Sequence, residues 1–283
     1  MLEMEIVSLI ILFCLGAIFG SFACCQAWRL RYKELGKKSP GKWSVCLNCG
    51  KRLSASENIP VISWLVQKGK CKSCGAKIGK TELLSELSLG LAFAAIGAVF
   101  LPEILTVHHN VLEILMLILL AVVLLITITI MWIMMIYDAK WKLLPTKLLI
   151  MSVVFSLVYF LIKTICFTFA GNFWGDFLPV LLSTLGSVAL LAGTYYLLYM
   201  FSKEKLVGSG DWLLALAVSI VLGDWWLALV TLFLSNFFAS IAGLILKLKK
   251  GKKIIPFGPF LVLAFVLVYA CQGWLMQLTF GMF

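Results

Sequence analysis

Eight apolar runs constrain this chain more than any other feature of it. They cover residues 6–28, 83–101, 112–137, 144–169, 178–201, 208–222, 225–246 and 258–280. Most are near the ~20 residues that an α-helix needs to cross a bilayer. With 62% hydrophobic and only 13% charged residues, the composition lies outside the soluble globular range. The expected fold is an all-α polytopic membrane protein of about eight transmembrane helices. The first run does not read as a cleavable signal peptide, because acidic Glu3 and Glu5 precede it while Arg29 and Arg31 follow it. It is expected to remain as an anchor.

Basic residues then orient the chain. With the N-terminus outside, 13 Lys and Arg fall in 29–80, three in 138–147, two in 202–211 and five in 247–253, all on one side. Only Lys163, of 24 basic residues, falls near the other side. The connections at 102–110 and 171–176, the Gly223-Asp224 turn and the tail carry none. The positive-inside rule therefore places the 29–80 loop in the cytosol. The net charge of +11 reports this topology and contact with anionic lipid rather than a nucleic-acid partner.

The sixth run is short, about 15 residues against the usual ~17 or more. Fusing it with the seventh would make a helix roughly 58 Å long, too long for ordinary tilt. A hairpin turning at Gly223-Asp224, with Trp225 and Trp226 in the interfacial belt, is the expected arrangement.

The 29–80 loop holds Cys46-Leu47-Asn48-Cys49 and Cys71-Lys72-Ser73-Cys74, each pair followed by glycine (Gly50, Gly75). Two such knuckles offer four thiolates to a tetrahedral ion, the pattern of a structural Zn2+ site. A disulfide reading fails in the cytosol, where thiols stay reduced; unligated or redox cysteines remain the alternative. A 52-residue loop has little core of its own, so metal is expected to hold it together. Cys14, Cys24, Cys25, Cys166 and Cys271 have no metal spacing and read as small buried apolar side chains.

Two carboxylates stand at the cytosolic edges of apolar runs, where charge is expensive. Asp138, followed by Lys140 and Lys142, also reads as a solvated turn residue paired with a lysine. Asp211 ends Gly208-Ser209-Gly210-Asp211 and also reads as a helix N-cap. Gly208 and Gly210 permit positive φ and close backbone approach. If the two aspartates meet, they share a proton: one deprotonates water while the other polarises a scissile carbonyl. Glu82 and Glu86, one helical turn apart, favour a helix N-terminus, with Glu86 able to face the core. His108 and His109 are given no role. Pro256-Phe257-Gly258-Pro259 reads as a rigid helix start.

Taken in order, these elements resemble the bacterial type IV prepilin peptidases. The residues carrying the resemblance are Gly20-Ser21-Phe22 with Arg29, the two cysteine pairs, Glu57-Asn58-Ile59-Pro60-Val61-Ile62-Ser63-Trp64, Glu86, Asp138 with Leu144-Pro145, Gly208-x-Gly210-Asp211, and Pro256-Phe257-Gly258-Pro259. Thr146, Leu213 and Cys24 depart from the family's usual Asp, Lys and Asn. The resemblance implies Asp138 and Asp211 as the catalytic pair, Gly208 and Gly210 as their loop, and a substrate or methyl-transfer region around Arg29, Asn58, Pro60 and Glu86. It also implies prepilin or pseudopilin substrates cut after a leader Gly, and N-methylation of the new terminus by S-adenosylmethionine. The implied location is the bacterial cytoplasmic (inner) membrane, and no oligomeric state is implied. The expected organisation is a first transmembrane helix at 1–28, a tetracysteine zinc module at 29–81 and a seven-helix aspartyl protease domain at 82–283.

Three alternatives stand beside this reading. One is a peptidase without the methyltransferase, which the changes at Cys24 and Leu213 allow. Another is a proton-coupled transporter with Asp138 and Asp211 as relay, whose usual internal repeat is missing from the sequence. The third is a zinc-bearing membrane scaffold.

Overall fold

The computed structural model describes residues 2–37, 43–106, 111–168, 173–203, 207–250 and 255–280. His108, His109 and part of the 247–253 lysine run lie outside them. Ten helices follow one another among the described residues: α1 Leu2–Glu34, α2 Ile62–Val66, α3 Lys80–Thr106, α4 Val111–Trp141, α5 Thr146–Thr168, α6 Phe173–Ser202, α7 Ser209–Leu222, α8 Trp225–Lys250, α9 Gly258–Ala270 and α10 Gln272–Phe280. The backbone divides into two compact units, Met1–Gly97 and Ala98–Phe283.

The expected membrane architecture is present. Among the described residues six helices are long and apolar enough to span a bilayer, and α9 with α10, bent by 70° at the break between them, brings the count to seven when taken as one broken span. The sixth apolar run forms α7, only 14 residues long. That is about 21 Å of helix, short of a ~30 Å hydrocarbon core. Its surroundings explain how so short a helix is tolerated: α7 packs against α5, α6, α8 and α9, and its residues from Leu214 to Leu222 are almost all buried. Protein rather than lipid surrounds it. The hairpin beyond it turns where expected, at Gly223, whose φ of 63° suits glycine. Asp224 then caps α8 by accepting the Trp226 and Leu227 N–H groups at 2.9 and 3.1 Å. Lys163 approaches this same turn and lies within the field of Asp224.

In the first unit α1 and α3 pack through small residues, as membrane helices without a hydrophobic driving force do. A Cβ added at Gly16 would lie 2.6 Å from the Leu89 carbonyl oxygen, and one at Gly20 2.6 Å from that of Ser85. The Ser85 hydroxyl donates to the Gly20 carbonyl at 2.9 Å across the same contact. In the second unit, the Tyr159 and Tyr269 hydroxyls meet at 2.7 Å between α5 and α9. Ser187 donates to the Ser219 carbonyl at 2.8 Å between α6 and α7.

Several boundaries differ from the hydropathy reading. The first helix continues to Glu34, so Arg29 is helical rather than part of the loop. Helix α4 continues to Trp141, which carries Asp138 inside its last turn. Of the five other cysteines only Cys24 is buried as expected; Cys25 and Cys166 are half-buried, and Cys14 on α1 and Cys271 at the end of α9 are exposed, on apolar segments where lipid supplies the apolar surroundings.

Candidate active site

Asp138 is 6% exposed, which excludes the solvated-turn alternative. Among the described residues its carboxylate pairs with no lysine; Oδ2 accepts the Gly258 backbone N–H at 2.8 Å. Helix α4 ends three residues later at Trp141, and just beyond it the Lys142 N–H bonds the Asp138 carbonyl while Lys142 takes a positive φ of 57°. Pro256-Phe257-Gly258-Pro259 does start a helix, but its larger role at this site was not legible in the sequence. Phe257 is the N-cap of α9, so the Gly258 N–H has no partner within the helix and is free to point at a carboxylate. Glycine is required at that position by proximity: an added Cβ would sit 2.9 Å from Asp138 Oδ2. Behind it, Phe257 packs on the buried Tyr195 ring at 5.0 Å. The Tyr195 hydroxyl accepts from Asn236 Nδ2 at 2.9 Å and shares a 3.2 Å hydrogen bond with Ser235.

Asp211 is the third residue of α7 rather than its N-cap, and it is half-buried. Its Oδ2 reaches back to accept the Gly208 N–H at 3.0 Å, closing the first turn as a capping-box carboxylate does. The glycines act differently from expectation. Gly208 has a φ of −76°, and neither it nor Gly210 is left-handed. What Gly210 supplies is close approach, since a Cβ there would meet the Leu144 side chain at 2.7 Å. Leu144, in the link between α4 and α5, thus seats the start of α7, while α9 packs against both α4 and α7. Asp211 and Lys142 are the charged groups whose fields reach Asp138. The arrangement offers one buried carboxylate fixed by a backbone donor and a second, more open one within electrostatic reach.

The cysteines of the first unit form a separate cluster. The four Sγ atoms lie within 4.8 Å of one another, and Cys46 and Cys74 are 3.8 Å apart. A tetrahedral ion with Zn–S bonds of about 2.3 Å needs sulfurs about 3.8 Å apart, so the donor set fits zinc. Each knuckle is built alike. The N–H of Gly50 bonds the Cys46 carbonyl and that of Gly75 the Cys71 carbonyl, both at 2.9 Å. Both glycines are left-handed, at φ 71° and 68°. Bridges Val45–Arg52 and Lys70–Lys77 close the two turns. The Ala76 backbone N–H and the Asn48 amide hold the Cys74 thiol down to about 6, and the Cys49 backbone N–H lowers Cys46. Cys49 is pushed up to about 11 despite the Lys51 backbone N–H, by desolvation and by its sulfur neighbours Cys46 and Cys74. A dication relieves that crowding of thiolates.

Of the remaining candidates, Glu86 is buried and accepts the Val61 N–H at 2.7 Å, stabilising a residue whose φ of 63° is costly for valine. The second half of its expectation, facing the core, is the one that holds. Arg29 and Asn58 line the same hollow as Glu86, and Pro60 lies beside Val61 outside it. Glu57, in the strip between the cysteine pairs, is buried and accepts the Ser54 N–H and hydroxyl at 2.9 Å each.

Residues 14–100 match the family described as Bacterial Peptidase A24 N-terminal domain, and residues 125–246 match the Type IV leader peptidase family. A prepilin leader peptidase/N-methyltransferase of Dichelobacter nodosus is 33% identical over 240 residues, covering 85% of this chain and 74% of its own. The protein of the same description from Neisseria gonorrhoeae is 27% identical over 235 residues, 81% of this chain and 71% of its own. No solved structure matches significantly. A third such protein, from Bacillus subtilis, is 30% identical over 263 residues and is matched along 92% of both chains. With both of its units matched in this way, the multi-pass helical chain belongs to the type IV prepilin peptidase family.

Proposed function

We propose that the chain removes the basic leader of prepilins or pseudopilins after a Gly at the cytosolic face of the bacterial inner membrane, with Asp138 and Asp211 as an aspartyl pair. The observation that carries this reading is the buried Asp138 carboxylate, held by the Gly258 N–H and within the field of Asp211. Two carboxylates in reach of each other share a proton and titrate as one unit. The ionised member takes a proton from water, whose oxygen adds to the scissile carbonyl carbon while the protonated member donates to the carbonyl oxygen. Collapse breaks the C–N bond and delivers the proton to the departing amine. The Gly258 and Gly208 N–H groups keep the two carboxylates in place throughout.

The relatives' names support a second step, in which the new amine takes the methyl group of S-adenosylmethionine. The nitrogen forms a bond to the methyl carbon, the C–S bond breaks, and the amine loses a proton. Zinc on Cys46, Cys49, Cys71 and Cys74 is structural in this scheme and organises the module proposed for residues 29–81. The basic residues near the helix ends support a cytosolic position for it.

Co-expression with a prepilin carrying a Gly-Phe junction, followed by intact mass of the product, tests both steps. Loss of the leader and gain of one methyl group are expected as separate mass changes; an uncut prepilin would refute the peptidase reading. A finer expectation concerns Gly258→Ala. Its methyl group enters the space of Asp138 Oδ2, so the carboxylate must move or lose its donor. Cleavage is expected to fall about a hundredfold, the usual cost of an ångström-scale displacement of a catalytic group. The protein should still insert and fold; kcat on a prepilin peptide measures the effect.

A further inference from the structure

Helix α2 buries none of its five residues, although four of them are apolar. Ile62, Leu65 and Val66 are 58%, 57% and 69% exposed, and Ile59 just ahead of them is 44% exposed. In water this arrangement forfeits the stabilisation that burying each aliphatic side chain brings. The backbone nevertheless enforces it. Non-glycine residues with positive φ bracket the helix, Val61 at 63° and Lys68 at 51°, conformations that persist only where the surroundings hold them. A contiguous apolar face kept outward in this way marks a contact surface.

The depth of α2 identifies what that surface meets. At one end the Val61 N–H is held by Glu86, and at the other the Trp64 indole N–H donates to the Gly79 carbonyl at 3.3 Å. Helix α2 therefore lies along the first two turns of α3, between the levels of Gly79 and Glu86. The apolar run of α3 begins at 83, and Leu84 beside it is exposed. Gly20 of α1 packs on Ser85 and Glu86 at the same depth, inside the apolar run 6–28. This is the level at which the neighbouring helices enter hydrocarbon, and a tryptophan there occupies the usual place of an interfacial ring. The charge is complementary to lipid phosphate. Residues 58–81 contain five lysines and no Asp or Glu, and Lys68 and Lys70, just after α2, are exposed. The bordering carboxylates are withdrawn: Glu57 and Glu86 are buried, the first engaged by Lys51 and Ser54 and the second by Val61.

We infer that α2 docks on the bilayer surface, with Ile59, Ile62, Leu65 and Val66 in the headgroup–acyl boundary and Lys68 and Lys70 against anionic lipid phosphates. An apolar face flanked by lysines has the composition of a segment that lies in this layer. The stretch that carries the cysteine pairs then has three anchors: α1 before it, α3 after it and lipid between the two knuckles. The docking is independent of the peptide cleavage and methyl transfer proposed above.

Photocrosslinking of the full-length protein in bilayer discs of phosphatidylglycerol and phosphatidylethanolamine tests the assignment. The photoreactive residue p-benzoylphenylalanine is placed at position 66 or, as a control, at position 73, exposed between the ligands of the second knuckle. Intact mass then counts lipid adducts, and metal content equal to that of the unlabelled protein shows that the module is folded. Position 66 is expected to give about fivefold more lipid adduct than position 73. Combining Lys68→Glu with Lys70→Glu should lower the yield at 66 about fivefold or more in these discs. In discs of phosphatidylcholine, which carry no net charge, the same pair of substitutions should change the yield little. Equal yields at 66 and 73 would overturn the docking. An equal loss in charged and neutral discs would overturn the pairing of the lysines with phosphate. Addition of a prepilin peptide that replaces the lipid adduct at 66 with a peptide adduct would give this face to the substrate and overturn the inference.

Discussion

Asp138→Asn and Asp211→Asn are each expected to lower prepilin cleavage by about a thousandfold or more, the range lost when an acid–base group is removed from a catalytic unit. The substitutions are clean because both native contacts can survive. At 138 the amide oxygen can still accept the Gly258 N–H, and at 211 it can still accept the Gly208 N–H. Burial of residue 138 then costs less with a neutral amide than with a carboxylate, so insertion and folding should be unimpaired. What the amide cannot do is hold and release the shared proton. Because the pair acts as one unit, the double variant should be no slower than the worse single one. Single-turnover cleavage in detergent or lipid discs measures all three. A single variant that keeps more than a few per cent of wild-type turnover does not belong to the pair.

The reach of the sequence differs between the two units for a physical reason. The cysteine knuckles were legible because they are local: Cys-x-x-Cys-Gly encodes its own turn, with the glycine at φ 71° in one and 68° in the other. The apolar runs were legible because lipid imposes one length on every unassisted span. Helix α7 fell short of that length because protein, not lipid, covers it, and this depends on four other helices. Asp138 read as a turn residue because the hydropathy stops before Lys140, whereas α4 continues to Trp141, where Tyr137 and Trp141 pack ring against ring at 4.6 Å. The partner of Asp138 was the least accessible feature. Gly258 lies 120 residues away, and nothing local to Pro256-Phe257-Gly258-Pro259 announces that its free N–H will meet a carboxylate. Of the two properties that glycine offers at Gly208 and Gly210, the fold uses one. Close approach at Leu144 is real, while positive φ plays no role.

The second large effect should come from the metal. Between residues 43 and 79 the described structure has one five-residue helix, two isolated bridges and no named strand. A segment of this size buries too little apolar surface to stay folded alone. Zinc binding in comparable small modules contributes about 10–16 kcal/mol at neutral pH, which is folding free energy for a segment of this kind. Freshly purified protein should therefore carry one zinc per chain. Cys71→Ser removes a buried ligand and should abolish tight retention of the metal. Exposed Lys51, Lys68, Lys70 and Lys72 would then be cut by trypsin about tenfold faster or more, as the folded state loses that linkage. Chelation of the wild type should reproduce the effect, and zinc should reverse it. In the same samples methyl transfer is expected to fall further than cleavage, because Asp138 and Asp211 lie outside the segment that the four cysteines hold. Unchelated protein that contains no metal by elemental analysis, or trypsin rates unchanged by Cys71→Ser, would refute the structural role of zinc. Equal loss of cleavage and methyl transfer would instead show that the module supports the whole enzyme.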